Sequence, residues 1–184
     1  MAKTARTAAA AMALTVAVLA TPRASAAADT LGTEPNAKSH VRSTSPAIVA
    51  LIRQAAQRSV TFDRMVTAID ASDAIVFVEQ GSCGHGVRAC FVSVSATTAN
   101  RYMRVIVDTH KTDLDLMGSI GHELRHTLEV IATPGVRDDA TKFFFYERTA
   151  MHLGSGAHET LAAQAAGNAV RDEIKRFNRK SQLR

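Results

Sequence analysis

The chain has 184 residues, 46% of them hydrophobic and 21% charged, with 22 basic against 17 acidic side chains and a formal charge of +5. That length suffices for one domain with a real core and hardly for two. Lys3, Arg6 and Arg23 carry part of the excess, so the remainder holds about +2 and gives no ground for nucleic-acid binding.

The N-terminus reads as an export signal over residues 1–26. Lys3 and Arg6 make a basic start, residues 7–20 are an uncharged Ala/Val/Leu-rich run, and Ala24-Ser25-Ala26 offers small residues for cleavage before Ala27. The run is shorter than the roughly 20 apolar residues a spanning helix needs, so no membrane span is expected after cleavage. The first cysteine is Cys83, which argues against a lipid anchor. The protein is therefore expected to be exported, either periplasmic or secreted. Residues 27–44 are rich in Ala, Thr, Asn, Ser and Pro without an apolar period, and read as a flexible leader.

A single domain is expected over residues 45–184. Ser45 as N-cap and Pro46 as first helical residue open a helix whose apolar face is Ile48, Leu51, Ile52 and Ala55. A second helix starts near Thr61, with Phe62, Met65, Val66 and Ile69 at helical spacing, and ends at Asp70-Ala71-Ser72-Asp73. Ala74-Ile75-Val76-Phe77-Val78, closed by Gly81, is a buried strand.

Cys83 and Cys90 flank Gly84 and Gly86, and a disulfide across a tight hairpin end is the simplest account of them. The alternative is a metal site of Cys83, His85 and Cys90. Residues 90–94 and 102–107 form two more strands around the polar turn 96–100, and short connections favour antiparallel neighbours. Three helices follow, near 113–131, 138–151 and 158–177, punctuated by Thr133-Pro134-Gly135 and Gly154-Ser155-Gly156. The basic end, Lys175, Arg176, Arg179, Lys180 and Arg184, reads as a solvated tail. The predicted fold class is α+β, a small antiparallel three-stranded sheet packed with helices.

The first of these three helices carries His122-Glu123-Leu124-Arg125-His126. Histidines four apart lie one turn above each other on the same face, so both imidazoles can reach one ion. Glu123 falls beside that ion, where it can accept a proton from a metal-activated water. Met117, Ile120, Leu124, Leu128 and Ile131 make one apolar stripe, and His122 and His126 point to the other side. Gly118 and Gly121 are poor helix formers, which close packing against a neighbouring strand would justify.

This segment resembles the active-site helix of zincin-type zinc metallopeptidases, and the strand over residues 101–108 sits where such enzymes carry the edge strand that binds extended substrate. The metzincin pattern needs Gly three and His six positions after His126, where this chain has Glu129 and Ala132. What remains is similar to gluzincins, in which a glutamate on a later helix is the third ligand. Glu159-Thr160-Leu161-Ala162-Ala163 to Ala166-Gly167 also resembles a small group of exported bacterial proteins that pair a His-Glu-Leu-x-His helix with a later Glu-Thr, alanine-rich helix. The resemblance covers roughly residues 45–175. It implies Zn2+ as cofactor, Glu123 as general base, and a peptide or protein as substrate.

Glu159 is the first choice for the third ligand. It heads the stripe Ala163, Ala166, Val170, Ile174 and Phe177, which would turn its carboxylate inward, where a partner is needed. The small Ala163 and Ala166 would let this helix come close to the His122 helix. Glu147 is the rival, although the bulky Phe143 and Phe144 around it suggest a helix held further away. Glu129 reads as an orienting partner or a polar face residue. Tyr146, Arg148 and His152 remain open as oxyanion stabilisers. His85, His110 and His152 lie in loops or at helix ends and read as solvated. A second functional class stays in view, an envelope protein with this fold that binds a peptide or partner without cutting it.

Overall fold

In the computed structural model, residues 39–84, 86–153 and 157–183 are described. The export signal, residues 27–38 of the leader, His85 and residues 154–156 lie outside them. The elements run β1 (Val41–Arg42), α1 (Pro46–Arg58), α2 (Val60–Asp70), β2 (Ala74–Gln80), β3 (Ala89–Ala96) and β4 (Arg101–Val107). They continue with α3 (Leu114–Ile131), α4 (Asp139–Thr149), β5 (Met151–Leu153), β6 (Ala157–Glu159) and α5 (Leu161–Gln182).

The helices follow from local sequence. Pro46 fixes the first turn of α1, whose buried residues are Ile48, Leu51, Ile52 and Ala55, the apolar set that the spacing predicts. Ser59 ends α1 and caps α2, its hydroxyl oxygen accepting the Phe62 amide at 3.1 Å. The same hydroxyl donates to Glu173 of α5 at 2.6 Å, and Thr61 donates to Glu173 from its amide and its hydroxyl. Burial pushes the Glu173 carboxyl up, but these donors outweigh it and hold it below the usual range. The α1–α2 corner is thereby pinned to α5.

The sheet corrects the prediction of three antiparallel strands. It has four strands in the order β1-β2-β4-β3 and is mixed. The β3–β4 hairpin is antiparallel as expected, closed by the Thr97 amide donating to the Asn100 carbonyl, but β2 pairs parallel with β4. The reason is burial. Met103, Val105, Ile106 and Val107 of β4 are all buried, so this strand takes the interior, and residues 81–88 carry the chain past its end from β2 to β3. Regular structure also begins earlier than residue 45. Val41 is fully buried and pairs with Val76, although one apolar residue among polar neighbours has no period to reveal it.

Ala74, Val76, Val78, Met103, Val105 and Val107 line the sheet face that packs on the helices, while Arg104 and Glu79 pair on the opposite face at 2.6 Å. Arg101 turns to the helix side. Its guanidinium is 2.6 Å from Asp73 and donates to the carbonyls of Val130, Ile131 and Thr133, closing the C-terminus of α3 onto the start of β4.

Arg101→Met is therefore expected to cost about 2 kcal/mol, since it removes the charged hydrogen bonds that tie the end of α3 to β4 and takes the guanidinium away from Asp73. The hydrogen bond from Arg101 holds the Asp73 carboxyl below its ordinary value of 3.8. A depressed carboxylate stabilises the fold above its unfolded pKa, and that contribution disappears as pH falls through the folded value. Urea unfolding followed from pH 5 down to pH 2 should show this loss in the wild type and less of it in Arg101→Met.

Cys83 and Cys90 are disulfide-bonded, as expected, which removes the alternative metal site of Cys83, His85 and Cys90. The bridge does not close a hairpin, because β4 lies between β2 and β3. It ties the crossover to the edge strand instead, beside Ile106 of β4. Replacing both cysteines by serine should cost about 2.5 kcal/mol by loop-closure entropy. Denaturant midpoints of the oxidised wild type and the double variant measure this.

Candidate metal centre

Asp113 opens α3 by accepting the Leu116 amide at 2.9 Å. Two turns on, His122 and His126 stack along one face, their Nε2 atoms 3.2 Å apart. They are not a solvent-facing pair, since His126 is buried and His122 is half-buried.

The facing wall comes from β6 and α5. Glu159 Oε1 lies 3.3 Å from His122 Nε2 and 3.7 Å from His126 Nε2, and one donor atom from each of the three residues falls within 4.8 Å of the others. Glu159 thus reaches the cluster as predicted, but it is the last residue of β6 and not the head of a helix. Thr160 is the N-cap of α5. The residues that follow, 163, 170 and 174, do bury their side chains, while Phe177 is exposed.

The glycines set the separation of α3 and α5. A Cβ on Gly167 would lie 3.1 Å from the Gly118 carbonyl oxygen and 3.1 Å from His122 Cβ, and one on Gly121 would meet Val170 at 2.9 Å. Gly118 and Gly121 therefore face a helix rather than the predicted strand. Gly167, rather than the predicted Ala163 and Ala166, marks the closest approach.

Burial, then the neighbouring His126 and Arg171, bring the pKa of His122 down to about 4, so its imidazole is neutral at neutral pH with a lone pair to offer. Glu129 Oε2 lies 2.9 Å from His126 Nδ1. Burial raises the Glu129 carboxyl, but hydrogen bonds from His126 and Thr160 outweigh it and hold it below its ordinary value. An ionised carboxylate only accepts, so the proton of this contact is on His126 Nδ1, and Nε2 is the ring nitrogen that faces the cluster. Glu129 is the orienting partner of a histidine.

Glu123 is 8% exposed, with Oε1 3.9 Å from His122 Nε2. Burial pushes its pKa up to about 7, opposed by His126 and by a hydrogen bond from the backbone amide of Phe91. It lies beside the three donors without being one of them.

The other named residues have different positions. Glu147 Oε1 pairs with His158 Nε2 at 3.7 Å and is not among the grouped donors. Tyr146 is buried, its ring edge-on to that of His126 at 5.4 Å between centroids, and its hydroxyl donates to the His126 carbonyl at 3.1 Å. Burial drives the phenol pKa above its ordinary value. That hydroxyl holds α4 to α3. Arg148 is exposed in the last turn of α4, and the side chain of His152 lies outside the described residues. His110 is exposed and pairs with Asp108. His158, which no sequence pattern singles out, stacks on Tyr146 at 6.0 Å.

The strand beside the centre is β3 and not β4, because β4 is interior. β3 is irregular between Phe91 and Ser93, and two of its outer groups are in use. The Val94 amide donates to Asp139 at 2.8 Å, and the Val92 carbonyl accepts from Lys142, which sits over the Phe91 ring.

Comparison with protein families, curated proteins and solved structures finds no match. Among the described residues no helix is long and apolar enough to cross a membrane.

Proposed function

We propose that the protein is an exported zinc-dependent peptidase of the gluzincin type, with His122, His126 and Glu159 as ligands and Glu123 as general base. The observation that carries this reading is the convergence of the three donors beside a buried fourth carboxylate. Two imidazole nitrogens and one carboxylate oxygen form a donor set that zinc takes while leaving a position open for water. The lowered pKa of His122 and the contact of His126 Nδ1 with Glu129, which leaves Nε2 facing the cluster, support this reading.

When bound, zinc would lower the pKa of a coordinated water and polarise the scissile carbonyl. The remaining roles fall to the chain. Glu123 takes up the proton of the attacking water, its buried carboxylate standing beside the three donors. Glu129 keeps the His126 ring in one orientation, and the closely packed α3 and α5 hold Glu159 opposite the histidines. The disulfide fits an oxidising compartment and thus export.

One observation favours the second reading, an envelope protein with this fold that binds a peptide or partner without cutting it. Asp139 and Lys142 already occupy outer groups of β3, where an extended substrate would pair. Elemental analysis for zinc, together with cleavage of casein and a peptide library with and without a chelator, separates the two. One zinc per chain with chelator-sensitive cleavage is expected. Zinc without cleavage of any library member would favour the second reading, and no zinc would overturn the peptidase.

A further inference from the structure

We propose that Thr160 is the positioning residue of the metal centre, orienting two of its three ligands, Glu159 through its backbone amide and His126 through Glu129. This rests on the metal-centre reading above.

The Thr160 amide donates to Glu159 Oε1 at 2.8 Å, the same oxygen that lies 3.3 Å from His122 Nε2. The Thr160 hydroxyl is 2.7 Å from Glu129 Oε1, and the other oxygen of Glu129 is 2.9 Å from His126 Nδ1. A hydroxyl has one proton and two lone pairs. The Ala163 amide donates to one of those lone pairs at 3.0 Å, which is the N-cap contact of α5. The single proton is then free for Glu129.

Glu129 accepts from Thr160 on one oxygen and meets His126 Nδ1 with the other. Its side chain is 11% exposed, so both bonds operate in a medium of low dielectric where they are strong and mutually reinforcing. Without the hydroxyl, Glu129 Oε1 would lose its 2.7 Å contact, and Arg125 Nε, at 3.8 Å, stands beyond hydrogen-bonding distance.

The arrangement also joins assembly to site geometry. α3 supplies His122, His126 and Glu129, while the β6–α5 junction supplies Glu159 and Thr160. When α5 docks on α3, the third ligand and the group that orients the second arrive together, as neighbouring residues.

Zinc is the probe, titrated into metal-free protein against a competing chelator. Thr160→Gly removes the hydroxyl, and glycine is tolerated at an N-cap almost as well as threonine, so the Tm of the metal-free variant should stay near wild type. Its zinc affinity should fall by roughly 10 to 100-fold, as for loss of an orienting contact. Thr160→Ser restores the hydroxyl and should restore the affinity. If Thr160 acts through Glu129, the double variant with Glu129→Ala should bind zinc no more weakly than Glu129→Ala alone.

Wild-type affinity in a folded Thr160→Gly variant, or additive losses in the double variant, would each overturn the proposal while leaving the metal centre intact. A wild type that takes up no zinc would overturn both.

Discussion

Glu123→Gln is expected to leave zinc bound at one per chain while lowering peptide cleavage by at least the roughly 10² to 10⁴-fold that a general base contributes. The amide has the shape of the carboxylate, so the buried site, 8% exposed, should not need to repack. It cannot take up the proton of the attacking water. The ligands are untouched, because Glu123 stands beside the three donors and not among them. Single-turnover cleavage with zinc content measured on the same sample tests both halves of this expectation. A Gln variant that cuts at the wild-type rate would remove Glu123 from the chemistry, and one that loses zinc would make it a ligand.

Glu159→Ala should have the largest effect on metal affinity. Deleting one of three donors leaves only the two histidines of a single helix turn, and the loss should exceed the roughly 10 to 100-fold attached to an orienting contact. Glu147→Ala is the matched control. Its carboxylate pairs with His158 at 3.7 Å and stands outside the donor group, so its zinc affinity should stay close to wild type. Titration against a competing chelator ranks the two variants, and a Glu147→Ala variant that loses zinc while Glu159→Ala keeps it would reverse the ligand assignment.

The two predictions differ in how far they rest on local sequence. Glu123 and the two histidines belong to one helix, and a four-residue spacing places two side chains on the same face whatever the rest of the chain does. Glu159 reaches the histidines by a different route from the one its spacing suggests. The apolar stripe predicts Glu159 on the face of a helix, whereas it ends a short strand. Three-residue strands are too brief to show a period of two, so β5 and β6 merge with the flanking helices in any reading by period. The β-strand course of residues 157–159 still aims the carboxylate at the histidines, with Thr160 turning the chain into α5.

Sequence alone determined what local periodicity and chemistry can encode. The apolar faces of α1 and α2, the β3–β4 hairpin, the cysteine pair and the His-Glu-x-x-His face all follow from residues within a few positions of each other. Tertiary structure decided what depends on partners far along the chain. The pleat alternation of β2 and β4 is the same whether their neighbour runs parallel or antiparallel, so only the competition for the buried interior made β4 central and left β3 at the edge. Val41 became a strand residue by finding Val76. The glycines of α3 met Gly167 and Val170 of α5, and Glu129 met Thr160 across a gap of 31 residues. That last contact has no local signature, because a hydrogen bond between two helices depends on how they dock and not on what surrounds either residue in sequence.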